Sequence, residues 1–299
     1  MTGQSKENEA SAELVWRDLD QKALDDAYDQ SVYAANRDQV RERTDFNCER
    51  VRARLGKPKR LAYGPTPIEQ LDLYPTDRPN APVSVFIHGG AWLQRWAKDF
   101  AFLAEMFVRA GAHFVVLDFV GVDKTEGNLL PVVEQVRRGV AWVHRNAESF
   151  GGDPERLFVC GHSSGAHLAG NVITTDWSSL GVPHDIVKGA LLCSGMYDLE
   201  PVRLSKRSEY VSFTDEIEES LSPQRRIEWI NCPIIVSYGT YETPEFQRQS
   251  RDFASAVEAA GKLATLLVCP GYNHFEMCEM IGNPIGPVGS AILGQMDLE

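Results

Sequence analysis

Residues 157–169 read LFVCGHSSGAHLA and contain the pentapeptide GHSSG at 161–165. The apolar residues before the pentapeptide predict a buried strand, and the residues after it predict a helix. A strand that turns sharply into a helix around a serine needs small residues on both sides, because the strained turn leaves no room for side chains. Gly161 and Gly165 supply that room. The pattern therefore predicts that Ser163 lies at the end of a sheet with its hydroxyl exposed to a reacting carbonyl group.

Apolar runs that predict strands alternate with helical patterns on both sides of this stretch. Their continuous hydrophobicity is typical of parallel strands that helices cover on both faces. Shorter alternating runs at 60–63 and 70–74 predict an antiparallel edge. The sequence therefore predicts an α/β fold with a mostly parallel eight-stranded sheet and helices on both faces. The strands predicted for the parallel part are 83–87, 114–119, 157–160, 190–193, 234–238 and 265–269.

The segment ahead of the sheet, residues 1–56, is charged and helix-prone, with Leu14, Leu19, Leu24 and Tyr28 on its apolar side. We interpret it as an N-terminal helical lid or packing segment, with direct contact to a substrate as the alternative. Residues 57–299 are predicted to form the core. We expect a single domain overall, because no linker long enough to divide the chain is present.

Composition limits the expected partners. The chain has 299 residues and a formal net charge of −12, which argues against nucleic acid because such binding relies on basic residues. The sequence contains no run of about 18 apolar residues, so no membrane span is predicted. The N-terminus lacks the pattern of a secretory signal and the six cysteines lack paired spacing. We therefore expect a cytoplasmic protein with a small-molecule substrate, and a homodimer is left open.

A second glycine motif, HGGAW at 88–92, follows the predicted strand 83–87. In hydrolases with a serine turn of this kind, this loop and the residue after the serine supply N–H groups to the oxyanion. We predict Gly89, Gly90 and Ser164 as the donors of an oxyanion hole. The alternative is an ordinary glycine turn after a strand.

A histidine and an acid are expected later in the chain, because this architecture orders its catalytic residues as serine, acid, histidine. Of the seven histidines only His274 follows the last predicted strand, and we predict it as the general base. Glu242 is the first carboxylate after the strand 234–238 and is the predicted partner of that base. Asp198 is the alternative acid, because some hydrolases take the acid from the preceding strand.

Other side chains around these motifs have weaker signals. Arg95 can clamp a substrate carboxylate through its guanidinium fork, with a solvated loop arginine as the alternative, and Trp92 is a second substrate-binding candidate. His162 and His167 flank the serine and are interpreted as packing or hydrogen-bonding residues. We expect no cofactor and no metal, because metal-ligand clusters, dinucleotide fingerprints and phosphate-binding loops are absent from the sequence.

Together these motifs resemble the serine-hydrolase type of kynurenine formamidase (arylformamidase), within the α/β-hydrolase superfamily and near the hormone-sensitive-lipase-like esterases. The resemblance runs from about residue 16 to residue 274 and implies an α/β-hydrolase fold. It implies Ser163 as nucleophile, His274 as general base, and Glu242 at a position where relatives more often have aspartate. The segments that carry it are 88–92, 150–156, 161–169, 194–201, 242–246 and 272–275.

The chain also departs from that family at positions that shape the pocket. Ser164 stands where alanine is usual, and DFVGVD at 118–123 replaces a different turn, so the substrate can differ from formylkynurenine. We expect a serine hydrolase that cleaves an amide, formamide or ester bond of a small aromatic or carboxylated molecule through an acyl-enzyme. Arylformamidase-like activity is the first expectation and a short-chain carboxylesterase the alternative. A non-catalytic ligand-binding protein of this fold is the alternative from another class.

Overall fold

The centre of the molecule is an eight-stranded sheet. A computed structural model of the chain describes residues 13–298. A hairpin of two short strands precedes the sheet. In chain order the strands are β1 (Leu14–Trp16), β2 (Leu19–Asp20), β3 (Lys59–Ala62), β4 (Gln70–Tyr74), β5 (Ala81–Ile87), β6 (His113–Leu117), β7 (Gly152–His162), β8 (Val187–Cys193), β9 (Ile234–Gly239) and β10 (Ala264–Cys269).

The strand order is β10-β9-β8-β7-β5-β6-β4-β3. The six strands from β10 to β6 pair in parallel. Only β4 and β3, at one edge, run antiparallel to their neighbours. The predicted fold class is confirmed, including the antiparallel edge that the alternating runs indicated. The carboxyl ends of β5, β7, β8, β9 and β10 therefore lie along one edge of the sheet, where parallel α/β proteins bind ligands.

Helices cover both faces of the sheet. The period-two alternation of β5 divides its side chains, because Val83 and Val85 contact one hydrophobic core whereas Phe86 contacts the other. Residues of α1, α4, α5 and α8 fill the first core, and residues of α2, α3, α9 and α10 fill the second. The helices are α1 (Gln21–Ala27), α2 (Arg37–Leu55), α3 (Ala104–Ala110), α4 (Leu130–Asn146), α5 (Ser164–Ile173), α6 (Glu200–Leu204), α7 (Asp215–Leu221), α8 (Pro244–Ala259), α9 (His274–Ile281) and α10 (Pro287–Gln295).

Helix α4 follows its sequence signals closely. Pro131 lies in its first turn, where a missing N–H costs nothing, and Val132, Val136 and Val140 form its buried stripe. The proline, the valine spacing and the glycines at 151–152 predict a helix over 131–150, but the α-helix ends at Asn146 and the last four residues form a 3₁₀ turn. Gly151 then adopts a φ of +89° and stops the helix.

The N-terminal segment is less helical than predicted. Residues 14–20 form the hairpin β1–β2, because Arg17 adopts a φ of +51° and reverses the chain. Asp20 then caps α1 by accepting a hydrogen bond of 2.8 Å from the N–H of Ala23. Helix α2 packs against α9 and a 3₁₀ helix, Ala97–Leu103. The segment therefore lies across the carboxyl edge of the sheet.

Two further properties concern the whole described chain. All six cysteines are free and buried, as expected for thiols that pack as small apolar groups. No helix within residues 13–298 has the length and apolarity required to cross a bilayer.

Candidate active site

The turn from β7 into α5 holds Ser163 in a strained conformation, with φ 59° and ψ −128°. Two glycines make the turn possible. A Cβ on Gly161 would lie 2.3 Å from the carbonyl oxygen of Gly165, and a Cβ on Gly165 would lie 2.1 Å from that of Ile87. Any other residue at either position would collide with backbone. The strain raises the Ser163 hydroxyl above the carboxyl end of the sheet.

His274 lies within hydrogen-bonding distance of that hydroxyl. Its Nε2 is 2.8 Å from the Ser163 Oγ, and its Nδ1 is 2.8 Å from Oε2 of Glu242. A carboxylate only accepts hydrogen bonds, so Nδ1 carries the proton and Nε2 can accept the serine proton. Asn273 caps α9 by accepting hydrogen bonds from the N–H groups of Phe275 and Glu276, and this fixes the backbone that carries His274.

The carboxylate of Glu242 is buried and fully paired. Its second oxygen, Oε1, accepts a hydrogen bond of 2.6 Å from the Ser194 hydroxyl and one of 2.8 Å from the N–H of Gly239. Sequence reasoning missed Ser194, although its position directly after the apolar run of β8 was a usable signal. The alternative acid, Asp198, instead pairs with Arg225 at 3.2 Å. Of the two candidate acids, the structure brings Glu242 to His274.

The glycine loop after β5 lies directly against the serine turn. A Cβ on Gly89 would lie 2.7 Å from the carbonyl oxygen of His162 and 2.9 Å from the Cβ of Ser163, so only glycine fits. Gly90 adopts a φ of +126°. The N–H groups of Gly89, Gly90 and Ser164 have no hydrogen-bond acceptor on the backbone of the described residues. Three donors are thereby left available beside the serine hydroxyl.

Ser164 connects the two motifs. Its hydroxyl accepts a hydrogen bond of 3.1 Å from the N–H of Trp92. Ala91 and Trp92 have φ values of 57° and 59°, which are uncommon for residues with side chains. The hydrogen bond from Trp92 stabilises this unfavourable loop conformation. Ser164 therefore ties the glycine loop to the start of α5.

The expectation that Trp92 contacts the substrate is wrong. Its side chain is 1% exposed, packs in the core beneath the loop, and does not line the cavity above Ser163. The indole Nε1 donates a hydrogen bond of 3.1 Å to Nδ1 of His167, which satisfies the one polar atom of the ring. Trp92 therefore supports the loop from below.

The two histidines beside the serine have different surroundings. His167 donates from Nε2 to the carbonyl oxygen of Leu221 at 2.8 Å, and burial lowers its pKa to about 4. His162 donates from Nε2 to the carbonyl oxygen of His274 at 2.9 Å, and the two rings lie 4.6 Å apart. Burial, followed by the charge of His274, lowers the pKa of His162 well below its usual value. Both rings are hydrogen-bonding residues, as interpreted from sequence, but His162 also lines the cavity.

A cavity of about 700 Å³ opens above Ser163 and His274. Its size is in the range that holds a small organic ligand. The N-terminal segment supplies much of one wall through residues 28–31 and the first half of α2, so this segment adjoins the cavity directly. Tyr28 anchors that wall through a hydrogen bond of 3.0 Å from its hydroxyl to Glu245. The segment is therefore fixed against α8 at one side of the active site.

Arg95 lines the same cavity on the side of the glycine loop. A Cβ on Gly90 would lie 2.5 Å from Cγ of Arg95, so the arginine stem lies over this loop. Its guanidinium lies over the ring of Phe100 at 5.9 Å, and its Nε is 3.7 Å from the carboxylate of Asp99.

No group of three or more His, Cys, Asp or Glu side chains converges as metal ligands within residues 13–298.

The parallel sheet and the strained serine turn define an α/β-hydrolase. A kynurenine formamidase of Salmo salar is 35% identical to this chain over 242 residues, which is 78% of this chain and 80% of the relative. One from Danio rerio is 33% identical over 240 residues, 78% of this chain and 80% of the relative. The chain belongs to the kynurenine formamidase family.

The other comparisons agree with this fold. A family model described as BD-FAE matches residues 71–178, which include the glycine loop and the serine turn. A solved structure from Silicibacter sp. tm1040 covers 90% of this chain and 98% of its own, with a TM-score of 0.77 at 21% identity. An esterase from Thermogutta terrifontis covers 81% of this chain and 91% of its own, with a TM-score of 0.64 at 20% identity.

Proposed function

We propose that this chain hydrolyses an aryl formamide, or a related small amide or ester, through an acyl-enzyme on Ser163. The observation that carries the proposal is the unbroken series of hydrogen bonds from Ser163 through His274 to Glu242 beside the cavity. Family membership supports the formamide as first substrate class. The fold alone hosts many chemistries, so the proposal depends on this site.

In the proposed reaction, the Ser163 Oγ attacks the formyl carbon while its proton moves to Nε2 of His274. The tetrahedral oxyanion accepts hydrogen bonds from the N–H groups of Gly89, Gly90 and Ser164. His274 then gives the proton to the leaving arylamine, and the C–N bond breaks. Water adds to the formyl ester with His274 again as base, and formate leaves as the serine regains its proton.

Each group in this mechanism has a separate energetic role. Loss of one oxyanion donor typically costs about 3 to 4 kcal/mol of transition-state stabilisation. Glu242 holds His274 in the tautomer with a proton on Nδ1 and stabilises the imidazolium that forms. Its own orientation is maintained by the hydrogen bonds from Ser194 and Gly239.

The substrate proposed here carries a carboxylate as well as an aromatic ring. Arg95 supports this proposal, because it lines the cavity from the side of the glycine loop and presents several donors.

A cytoplasmic location, the lack of a nucleic-acid partner, and the division of the chain into an N-terminal segment and a core at residue 57 stay predictions from the sequence.

A substrate panel and the variant Ser163→Ala test the proposal. We expect aryl formamides to turn over faster than aryl acetamides and p-nitrophenyl esters, and a fluorophosphonate probe to label the protein. Ser163→Ala should lose the label and about a million-fold in kcat. Ser179→Ala, which changes an exposed serine outside the cavity, serves as the control. Full turnover by Ser163→Ala would exclude the mechanism, whereas a preference for esters would favour the carboxylesterase.

A further inference from the structure

The cavity is more basic than the rest of the molecule. The chain has a formal net charge of −12, yet arginines outnumber carboxylates among the residues that line the cavity. Local charge of this kind raises the concentration of anions at a cleft. The arginines of the lining are Arg37, Arg41, Arg95 and Arg207, and its carboxylates are Asp29, Asp45 and Asp99.

Two of the four arginines, Arg37 and Arg207, are held by contacts within the wall. Arg37 pairs with Asp38 at 2.9 Å. Arg207 is buried, donates to the carbonyl oxygen of Tyr28 at 2.9 Å and to the hydroxyl of Tyr210 at 2.7 Å, and lies over Trp92. These contacts hold both arginines in place as parts of the wall.

Arg41 makes no such pair. It lies on α2, its guanidinium is 5.4 Å from the ring centre of Phe275, and no carboxylate of residues 13–298 is within 4.0 Å of it. Phe275 directly follows His274, so Arg41 approaches the cavity on the histidine side. Partial burial, followed by the charges of Arg37 and Arg95, lowers the pKa of Arg41.

Arg95 lines the same cavity from the side of the glycine loop. Its stem lies over Gly90, its closest carboxylate atom is 3.7 Å from Nε, and that Nε is buried without a hydrogen-bond acceptor among the described residues. Two guanidinium groups from different elements thus adjoin one cavity, each over a phenylalanine ring. Such like charges repel each other unless an anion binds between them.

We propose that Arg41 and Arg95 together bind the carboxylate of the substrate, so that helix α2 supplies a specificity-determining residue. This inference rests on the proposed function and adds Arg41 of α2 as a residue that recognises the substrate's carboxylate. A planar carboxylate suits two guanidinium groups, because each presents a fork of N–H donors. The neighbouring rings of Phe100 and Phe275 suit a flat aromatic acid. The N-terminal segment then takes part in substrate recognition as well as in packing.

Binding to a protein that cannot turn over its ligand tests this inference. The ligands are ortho-formamidophenylpropanoate and its carboxamide, which differ in charge and hardly in size, measured by isothermal titration calorimetry in the Ser163→Ala background. Adding Arg41→Met should weaken binding of the acid about tenfold, the size expected for a lost charged hydrogen bond. Binding of the carboxamide should change less than about twofold.

Arg50→Met is the matched control, because Arg50 also lies on α2 over a phenylalanine, Phe46, at 5.7 Å, but does not line the cavity. It should leave both affinities unchanged. Equal losses for acid and carboxamide, no loss for either, or no binding of the acid would overturn the inference. A selective loss in Arg207→Met in place of Arg41→Met would also overturn it. Turnover retained by Ser163→Ala would contradict the proposed function alone, because the affinity ratio does not depend on turnover.

Discussion

The glutamate at position 242 has a side chain one methylene longer than that of an aspartate. The extra reach is accommodated because the outer carboxylate oxygen is held by the Ser194 hydroxyl and the N–H of Gly239. The inner oxygen is left to meet His274 at 2.8 Å. A carboxylate that accepts hydrogen bonds from all its near neighbours is fixed in orientation.

Exchange of the acid tests which carboxylate serves His274. Glu242→Gln should lower kcat by about ten-thousand-fold with little change in KM, because an amide stabilises the wrong histidine tautomer and no imidazolium. Asp198→Asn is the control, since Asp198 pairs with Arg225 away from the histidine. Steady-state kinetics on an aryl formamide would measure both. A larger loss for Asp198→Asn than for Glu242→Gln would contradict the assignment.

At the scale of elements, the serine turn and the glycine loop behave as one unit. Gly89 lies against the Ser163 Cβ, and Ser164 binds the N–H of Trp92. The spacing within each motif could be predicted from sequence, because strand, turn and helix signals are local. The contact between the motifs is long-range, so the inward position of Trp92 could not be predicted. The same limit hid the pairing of Ser194 with Glu242.

The Ser164 hydroxyl, which ties these elements, can be removed by a substitution that deletes only one buried oxygen atom. Ser164→Ala leaves the buried N–H of Trp92 without an acceptor, which costs about 1 to 3 kcal/mol. We expect a lower Tm and a several-fold lower kcat, because the oxyanion loop relaxes, while fluorophosphonate still labels Ser163. Thermal unfolding and kinetics would measure the two effects.

Ser84→Ala is the matched control for that change. Ser84 is fully buried in β5 and its hydroxyl has no hydrogen-bond partner among the described residues, so its removal should not lower stability. Equal effects of the two substitutions would mean that the Ser164 hydrogen bond contributes nothing specific to the loop.

The N-terminal elements show a different limit of sequence reasoning. Charge and apolar spacing predicted a helical segment, and α1 and α2 are present. The first strands were missed because the reversal depends on a single positive φ at Arg17, for which no glycine gives a signal. The wall that α2 forms beside the cavity was also invisible, because α2 and the glycine loop are brought to one cavity only through tertiary packing.

At the scale of the whole molecule, the sheet separates two cores and several histidines are buried in the interior. His88 lies between the rings of Phe119 at 4.2 Å and Phe100 at 5.3 Å, and burial lowers its pKa to about 4. Burial lowers the pKa of His167 to about 4 as well, and it lowers the pKa of His162 well below its usual value. These rings are neutral in the packed interior. When the chain unfolds, each imidazole is exposed to water and binds a proton more readily.

Stability should therefore fall with acidity in a defined interval. Burial depresses the folded pKa of His88 to about 4 from its usual value of 6.5, so its stabilising contribution is complete above pH 6.5. Between pH 6.5 and about 4 the unfolded chain binds a proton that the folded chain does not, and each such histidine weakens folding by about 1.4 kcal/mol per pH unit.

His88→Phe keeps the aromatic stack and removes the titration. Urea unfolding at pH 7 and pH 5 should show a shallower loss in this variant than in the parent, whereas His184→Asn, which changes an exposed histidine, should retain the parent's slope. A parent protein equally stable at both pH values would mean that these rings protonate within the fold, and the aromatic stack around His88 would then have to open to water.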